Sequence, residues 1–311
     1  MSEAAAASAT DRRKERAARL SIASNATLIV LKLVAGAATG SIAIVTEAVH
    51  SSIDLLASFV AFFSVRKADE PADESHMYGH EKVENLASAL EGILILVGAG
   101  IIIFESVRRL SHPREVESLG FGIVAIAVSM VVNIAVSTYL RRQARATDSP
   151  ALEADAAHLS TDALTSGGVL VALVLVAITG EHAIDPITAL VVATVIVSSG
   201  IRIVNRSSRV LVDEALPEGE LAQVGEAIEA HGPREVVGYH KLRARTTGRR
   251  TYIDLHVQFG RGTTLERAHE LAHELRDAIE SDLGDAEVLI HVEPETSRHD
   301  PSESPSAFRA G

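Results

Sequence analysis

Apolar residues run long and almost unbroken over the first two thirds of this chain and alternate in short periods over the last third. The stretches 118–140, 163–180 and 186–201 contain no charged residue. A helix that crosses a bilayer needs about 20 mostly apolar residues. The pattern predicts six such helices, at about 20–39, 41–65, 84–107, 117–139, 151–179 and 184–205. An even number returns both termini to one side. Past Asp213 the period shortens. Residues 217–230 read as an amphipathic helix, 235–246 and 250–259 as strands joined at Gly248-Arg249, 264–282 as a second helix and 286–293 as a last strand. This α-β-β-α-β order suits an open sheet with helices on one face. The chain therefore divides into a tail (1–19), a six-helix transmembrane domain (20–206), an α+β domain (207–295) and a tail expected to be disordered (296–311).

Composition sharpens this division. The 311 residues are 47% hydrophobic and 23% charged, with a net charge of -12, and the mean hydropathy is +0.20. Residues 207–311 hold 20 Asp and Glu against 12 Lys and Arg. A nucleic-acid partner is not expected, because phosphate binding needs a basic face. With no cysteine, disulfides and thiolate metal sites are excluded, so any metal must bind His and carboxylate. Lys and Arg also orient the helices. The flanks on the side of the termini carry 14 of them, Arg12, Arg13 and Lys14 among these, while the opposite loops carry Arg108, Arg109 and Arg114. The positive-inside rule then places both termini in the cytoplasm of a multi-pass protein of the inner (plasma) membrane.

Two of the expected spans carry ionisable groups at one spacing. The second reads Glu47-Ala-Val-His50-Ser-Ser-Ile-Asp54 and the fifth Asp155-Ala-Ala-His158-Leu-Ser-Thr-Asp162. Residues four apart stand one turn above each other on one helix face. Each span thus offers an imidazole and a carboxylate to its neighbour, and His50, Asp54, His158 and Asp162 together make the N2O2 set that a tetrahedral Zn²⁺ accepts. An Asp at mid-bilayer costs about 2.5 to 3.5 kcal/mol on insertion scales, so intramembrane ionisable residues default to function. Lys32 reads either as neutralising a carboxylate or as a snorkelling side chain, and Glu91 and Glu105 as facing a wet cavity or a partner subunit rather than as ligands.

The repeated His-x3-Asp, the loop from Pro71 to Lys82 with its two histidines, the segment Leu211-Val-Asp-Glu-Ala-Leu-Pro217 and the terminal Ile290-His-Val-Glu-Pro294 together resemble the cation diffusion facilitator family. The resemblance covers about residues 15–295 and is greatest to the bacterial six-helix zinc and iron exporters. It implies a homodimeric metal/proton antiporter, with a ferredoxin-like or metallochaperone-like cytoplasmic domain. It implies transport of Zn²⁺, with Cd²⁺ or Fe²⁺ as further substrates, at His50, Asp54, His158 and Asp162, and protons as the counter-ion. It also implies a second, membrane-proximal site at Asp73, His76 and His80, whose spacings of three and four predict one side of a helical turn. Lys82 and Asp213 would form a charge lock near the dimer contact.

In the last third the resemblance implies bridged regulatory Zn²⁺ ions among His240, His256, His269, His291 and Glu293. Here Glu293 and Val292 stand where the family has Asp and a polar residue. His269-Glu-Leu-Ala-His273 also fits the helical zinc-protease signature H-E-x-x-H. However, Leu265, Ala268, Ala272, Leu275 and Ile279 form the expected buried stripe of that helix, and so small a module has little room for a substrate cleft. The rival to transport is a membrane-anchored metal sensor or metalloenzyme working through the soluble histidines. Ligands paired in two spans, which an anchor does not need, favour transport.

Overall fold

The computed structural model describes residues 3–39, 42–111, 120–181, 183–232, 235–248 and 250–295. The expected tail 296–311, residues 117–119 of the fourth span and Arg249 of the hairpin lie outside them. The described residues divide into two compact units, with the break after Ser208.

The first unit is six long helices: α1 Glu3–Thr39, α2 Ile42–Ala68, α3 Lys82–Ser111, α4 Gly120–Thr147, α5 Pro150–Thr179 and α6 Ile184–Leu211, the last running past the break. At 1.5 Å per residue, a helix of 30 residues is about 45 Å long, enough to cross a bilayer. Among the described residues Arg12–Val34 of α1 and all of α3, α5 and α6 are long and apolar enough to do so. Rather than starting near residue 20, α1 is helical from Glu3, and Ala17 and Ala18 are fully buried. Helices α1, α2, α4 and α5 share a core around Val65, Leu140, Leu152 and Leu159, while Ile95 and Ala99 of α3 meet Ile196 of α6 in another. Small residues set the α3–α6 approach: a Cβ on Gly92 would stand 2.7 Å from Val204 Cγ2, and one on Gly200 2.8 Å from Leu96 Cγ.

One end of this unit is tied by a buried charge network. Lys14 Nζ of α1 donates to Glu84 Oε1 of α3 at 2.7 Å and to Asp69 Oδ1, just past α2, at 3.4 Å. The other Glu84 oxygen accepts from the Ser149 hydroxyl. Ser149 also caps α5, accepting from Leu152 N at 3.3 Å, with Pro150 in the first turn where its missing N–H costs nothing. Lys14, counted among the flanking charges that orient the helices, is thus part of an internal network.

The second unit holds α7 (Glu218–His231), β1 (Val236–Thr246), β2 (Thr251–Phe259), α8 (Leu265–Leu283) and β3 (Ala286–Pro294). Its sheet runs β1-β2-β3, antiparallel then parallel, the second connection being the crossover that α8 supplies. On β2 the alternation is plain: Ile253, Leu255, Val257 and Phe259 are buried in a core with Val224 and Ile228 of α7 and Leu271, Leu275 and Ile279 of α8. Asp254, His256 and Gln258 therefore point to the other face. The stripe expected on α8 needs one correction. Leu265 is 72% exposed and Leu271 takes its place in the core, because Thr264 caps the helix by accepting from Arg267 N and leaves Leu265 in the first turn, outside the sheet contact.

Candidate metal sites

Among the described residues, three groups of His and carboxylate side chains bring their ligand atoms within 4.8 Å of one another. The first lies inside the helical unit and joins Asp54 of α2 to His158 and Asp162 of α5. His158 Nε2 stands 3.2 Å from Asp54 Oδ1, and both residues are buried. Polar residues of α1 and α2 back the group: Asn25 donates to Ser58 at 2.8 Å, and Ser58 to Asp155 at 3.3 Å. The expected fourth ligand, His50, lies one turn before Asp54 on α2, but its side chain is outside the described residues. Lys32 does not snorkel outward. It is buried and donates to Ser51 of α2 at 2.7 Å.

The second group is Asp73, His76 and His80. These residues are not on a helical turn as the spacing predicted but in an irregular loop between α2 and α3. Asp73 Oδ1 accepts from the amides of Ser75 at 2.8 Å and His76 at 2.7 Å, an Asx-type turn that competes with helix. Gly79, at φ 83°, then reverses the chain. The result still joins the three side chains. His80 Nε2 is 3.3 Å from Asp73 Oδ2, and the two imidazoles are 4.5 Å apart. The Ser75 hydroxyl and the His76 amide hold the Asp73 carboxyl well below the usual carboxylate range.

The third group occupies the helix-free face of the sheet. Register places His240, His256 and His291 side by side on β1, β2 and β3, with ring separations of 5.2 and 4.6 Å. Glu293, two residues past His291, reaches back across the row. Its Oε1 is 2.6 Å from His256 Nδ1 and its Oε2 is 3.5 Å from His240 Nε2, and these three form the ligand group. His291 is more exposed, 3.6 Å from the same carboxylate. A bulge after His240, with Lys241 at φ 52°, turns the strand there. The longer arm of Glu293 is what spans β1 and β2 from β3. His269 does not join this group; on α8 its ring meets that of His273 at 4.4 Å, as i, i+4 neighbours do.

Lys82 opens α3 in the first unit and Asp213 lies in the second, where Asp213 accepts from Arg245 at 2.9 Å. Of the two acidic residues set aside as non-ligands, Glu105 is half-exposed and paired with Arg109 at 3.3 Å. Glu91 faces no wet cavity: it is fully buried. Its one sequence signal is a lone carboxylate in an apolar run.

A bundle of apolar helices that gathers carboxylates and an imidazole in its interior, joined to a small His-bearing sheet domain, defines a membrane transporter of metal cations. The comparisons agree. Residues 18–212 match the family described as cation efflux transmembrane domain, and residues 216–295 match the cation efflux protein cytoplasmic domain. The chain is 34% identical to an uncharacterised transporter of Synechocystis, over 88% of each chain. It is 33% identical to the cation-efflux pump FieF of Shewanella oneidensis, over 89% of this chain and 93% of that one. Among solved structures, the metal-bound C-terminal domain of the CzcD transporter from Thermotoga maritima is 25% identical. It covers 27% of this chain and 100% of its own, with a TM-score of 0.25. The protein belongs to the cation diffusion facilitator, or cation efflux, family: an integral membrane transporter of divalent metals and not an enzyme. The metalloenzyme and zinc-protease readings are thereby set aside.

Proposed function

We propose that this protein exports Zn²⁺ from the cytoplasm in exchange for protons, as a homodimer in the inner (plasma) membrane with six spans and both termini cytoplasmic. The observation that carries the reading is the convergence of Asp54, His158 and Asp162 from two helices of an apolar bundle. The charge of that group gives the exchange. Two ionised Asp and neutral imidazoles amount to about -2, which one Zn²⁺ or two protons bring to zero, so metal and protons compete for one place. Imidazole must be neutral to bind metal, so a more acid exterior favours release and the cytoplasm favours loading. The choice of Zn²⁺ rests on the mixed nitrogen and oxygen donors, with His50 as fourth ligand. Cd²⁺ and Fe²⁺ are weaker candidates. Alternating access would move α2 and α5 against the rest of the bundle. The sheet group and the Asp73 loop would bind regulatory Zn²⁺, with Lys82 and Asp213 structural. Uptake of Zn²⁺, Cd²⁺, Fe²⁺ and Mn²⁺ into proteoliposomes, with internal pH followed by a trapped dye, tests this. Zn²⁺ flux that neither moves protons nor responds to a pH gradient would refute exchange.

A further inference from the structure

Inside the helical unit, buried polar atoms of His158 and of two neighbouring carboxylates have no hydrogen-bond partner among the described residues. They are His158 Nδ1, both carboxylate oxygens of Glu91 and Asp155 Oδ2. Glu91 is 0% exposed, and its charged neighbours within electrostatic reach are Asp155 and His158. Its place follows from packing. The buried stripe of α3 runs Glu84, Ser88, Glu91, Ile95 and Ala99, and Ile95, one turn past Glu91, packs in a cluster that includes Ala157 of α5. Beside it, α6 closes on this stretch of α3 at Gly92.

An imidazole has two ring nitrogens, and one that binds metal through Nε2 must carry its proton on Nδ1. In metal sites that second N–H is almost always donated to a carboxylate, a backbone carbonyl or water, and the acceptor fixes both tautomer and ring orientation. Here Nε2 faces Asp54, so Nδ1 is the nitrogen in need of an acceptor. Asp155 has one oxygen committed to Ser58. Both oxygens of Glu91 are open, and it stands on a different helix from His158. We propose that Glu91 is a positioning residue for the transported metal: its carboxylate accepts the Nδ1–H of His158 in the loaded state and so aims Nε2 at the ion. Through that bond α3 senses whether the site between α2 and α5 is filled. The inference rests on His158 being a metal ligand.

The test is Co²⁺ and Zn²⁺ binding to the purified full-length protein in detergent, in a His76→Ala, His256→Ala background that disables the loop and sheet groups. Tetrahedral Co²⁺ absorption provides the signature of the membrane group. Glu91→Leu removes the acceptor while keeping apolar packing, and should weaken affinity about 10- to 100-fold and alter the Co²⁺ band. Glu91→Gln, whose carbonyl oxygen still accepts, should restore affinity to within about threefold of the background. Glu91→Asp keeps the charge but withdraws the acceptor by one methylene. It should bind as weakly as Glu91→Leu, and it stands in if Glu91→Leu does not fold. A purely structural Glu91 would not separate Gln from Asp in this way. Background affinity in both Glu91→Leu and Glu91→Asp overturns the proposal, as does weakening by Asp155→Ala alone, which removes the carboxylate oxygens and would make Asp155 the acceptor. His158→Ala separates the two failures. If it leaves Co²⁺ binding intact, the metal-ligand reading of His158 falls and this proposal with it; if it abolishes binding while the Glu91 variants bind normally, only the role of Glu91 is lost.

Discussion

The membrane group and the sheet group use the same side-chain chemistry in two different frames. Asp54, His158 and Asp162 are held by helix periodicity and stand among buried residues from neighbouring helices. His240, His256 and Glu293 are held by strand register on a half-buried sheet face. The first carries two carboxylates to one described imidazole and the second one carboxylate to two, so a divalent ion nearly neutralises the first and leaves the second positive. In a low-dielectric interior that difference is large, because unpaired charge there is costly. On the sheet, water shares the load. A buried site of this kind suits an ion that must be exchanged for another cation, and a half-exposed one suits an ion that comes and goes with its concentration.

The largest effect that would separate the two groups is loss of transport. Asp54→Ala or Asp162→Ala should lower Zn²⁺ flux in proteoliposomes by at least about 100-fold, with the helical unit still folded by circular dichroism. Flux within a few-fold of wild type would move the transported ion elsewhere. Stability should differ next. Lys14→Met leaves Glu84 buried without its cation and should cost roughly 3 to 5 kcal/mol, seen as a lower Tm in detergent. Adding Glu84→Gln should recover much of the loss. His256→Ala on the sheet face should cost no more than about 1 kcal/mol. A Tm unchanged by Lys14→Met would mean that the network is not closed in the folded protein.

A smaller effect is expected in regulation. His256→Ala with His291→Ala should leave residual Zn²⁺ transport while shifting its concentration dependence upward, and should remove bound Zn²⁺ measured by metal analysis of the full-length protein. Unaltered metal content would rule out the sheet group as a site. The smallest effect lies in the Asp73 loop, the most exposed group. Because hydrogen bonds hold the Asp73 carboxyl below its ordinary range, it stays ionised as pH falls through 5. Metal binding there should therefore be lost on acidification through protonation of the imidazoles, while Asp73 still carries its charge. Titration of Zn²⁺ binding at several pH values in a His158→Ala, His256→Ala background checks this. A midpoint near 4 would assign the loss to Asp73 instead.

Much of the fold is legible in the sequence because its signals are local. Runs of 20 apolar residues and the shift to a period of two past Asp213 mark helices and strands without reference to any partner. Helix periodicity also makes His158 and Asp162 a pair from spacing alone. Where two local signals competed, or where a residue's place depended on another element, spacing and residue type were not enough. The Asp73 loop has helical spacing but no helix, because Asp73 bonds its own following amides. His269 has the right residue type but sits on α8 rather than in the strand row.

The sequence by itself determined the membrane unit, the α-β-β-α-β unit, and which His and carboxylate residues repeat at ligand spacing. Each of these follows from the geometry of one helix or one strand. The tertiary structure alone decided which residues meet across elements. It set Asp54 against His158 from 104 positions away, drew Lys14, Glu84 and Ser149 into one buried network, and joined Glu293 to His240 and His256 across three strands. It also buried Glu91 within electrostatic reach of Asp155 and His158 of α5. The reason is physical. A carboxylate in the sequence carries no mark of the dielectric around it, and only packing settles whether water or another side chain will compensate its charge.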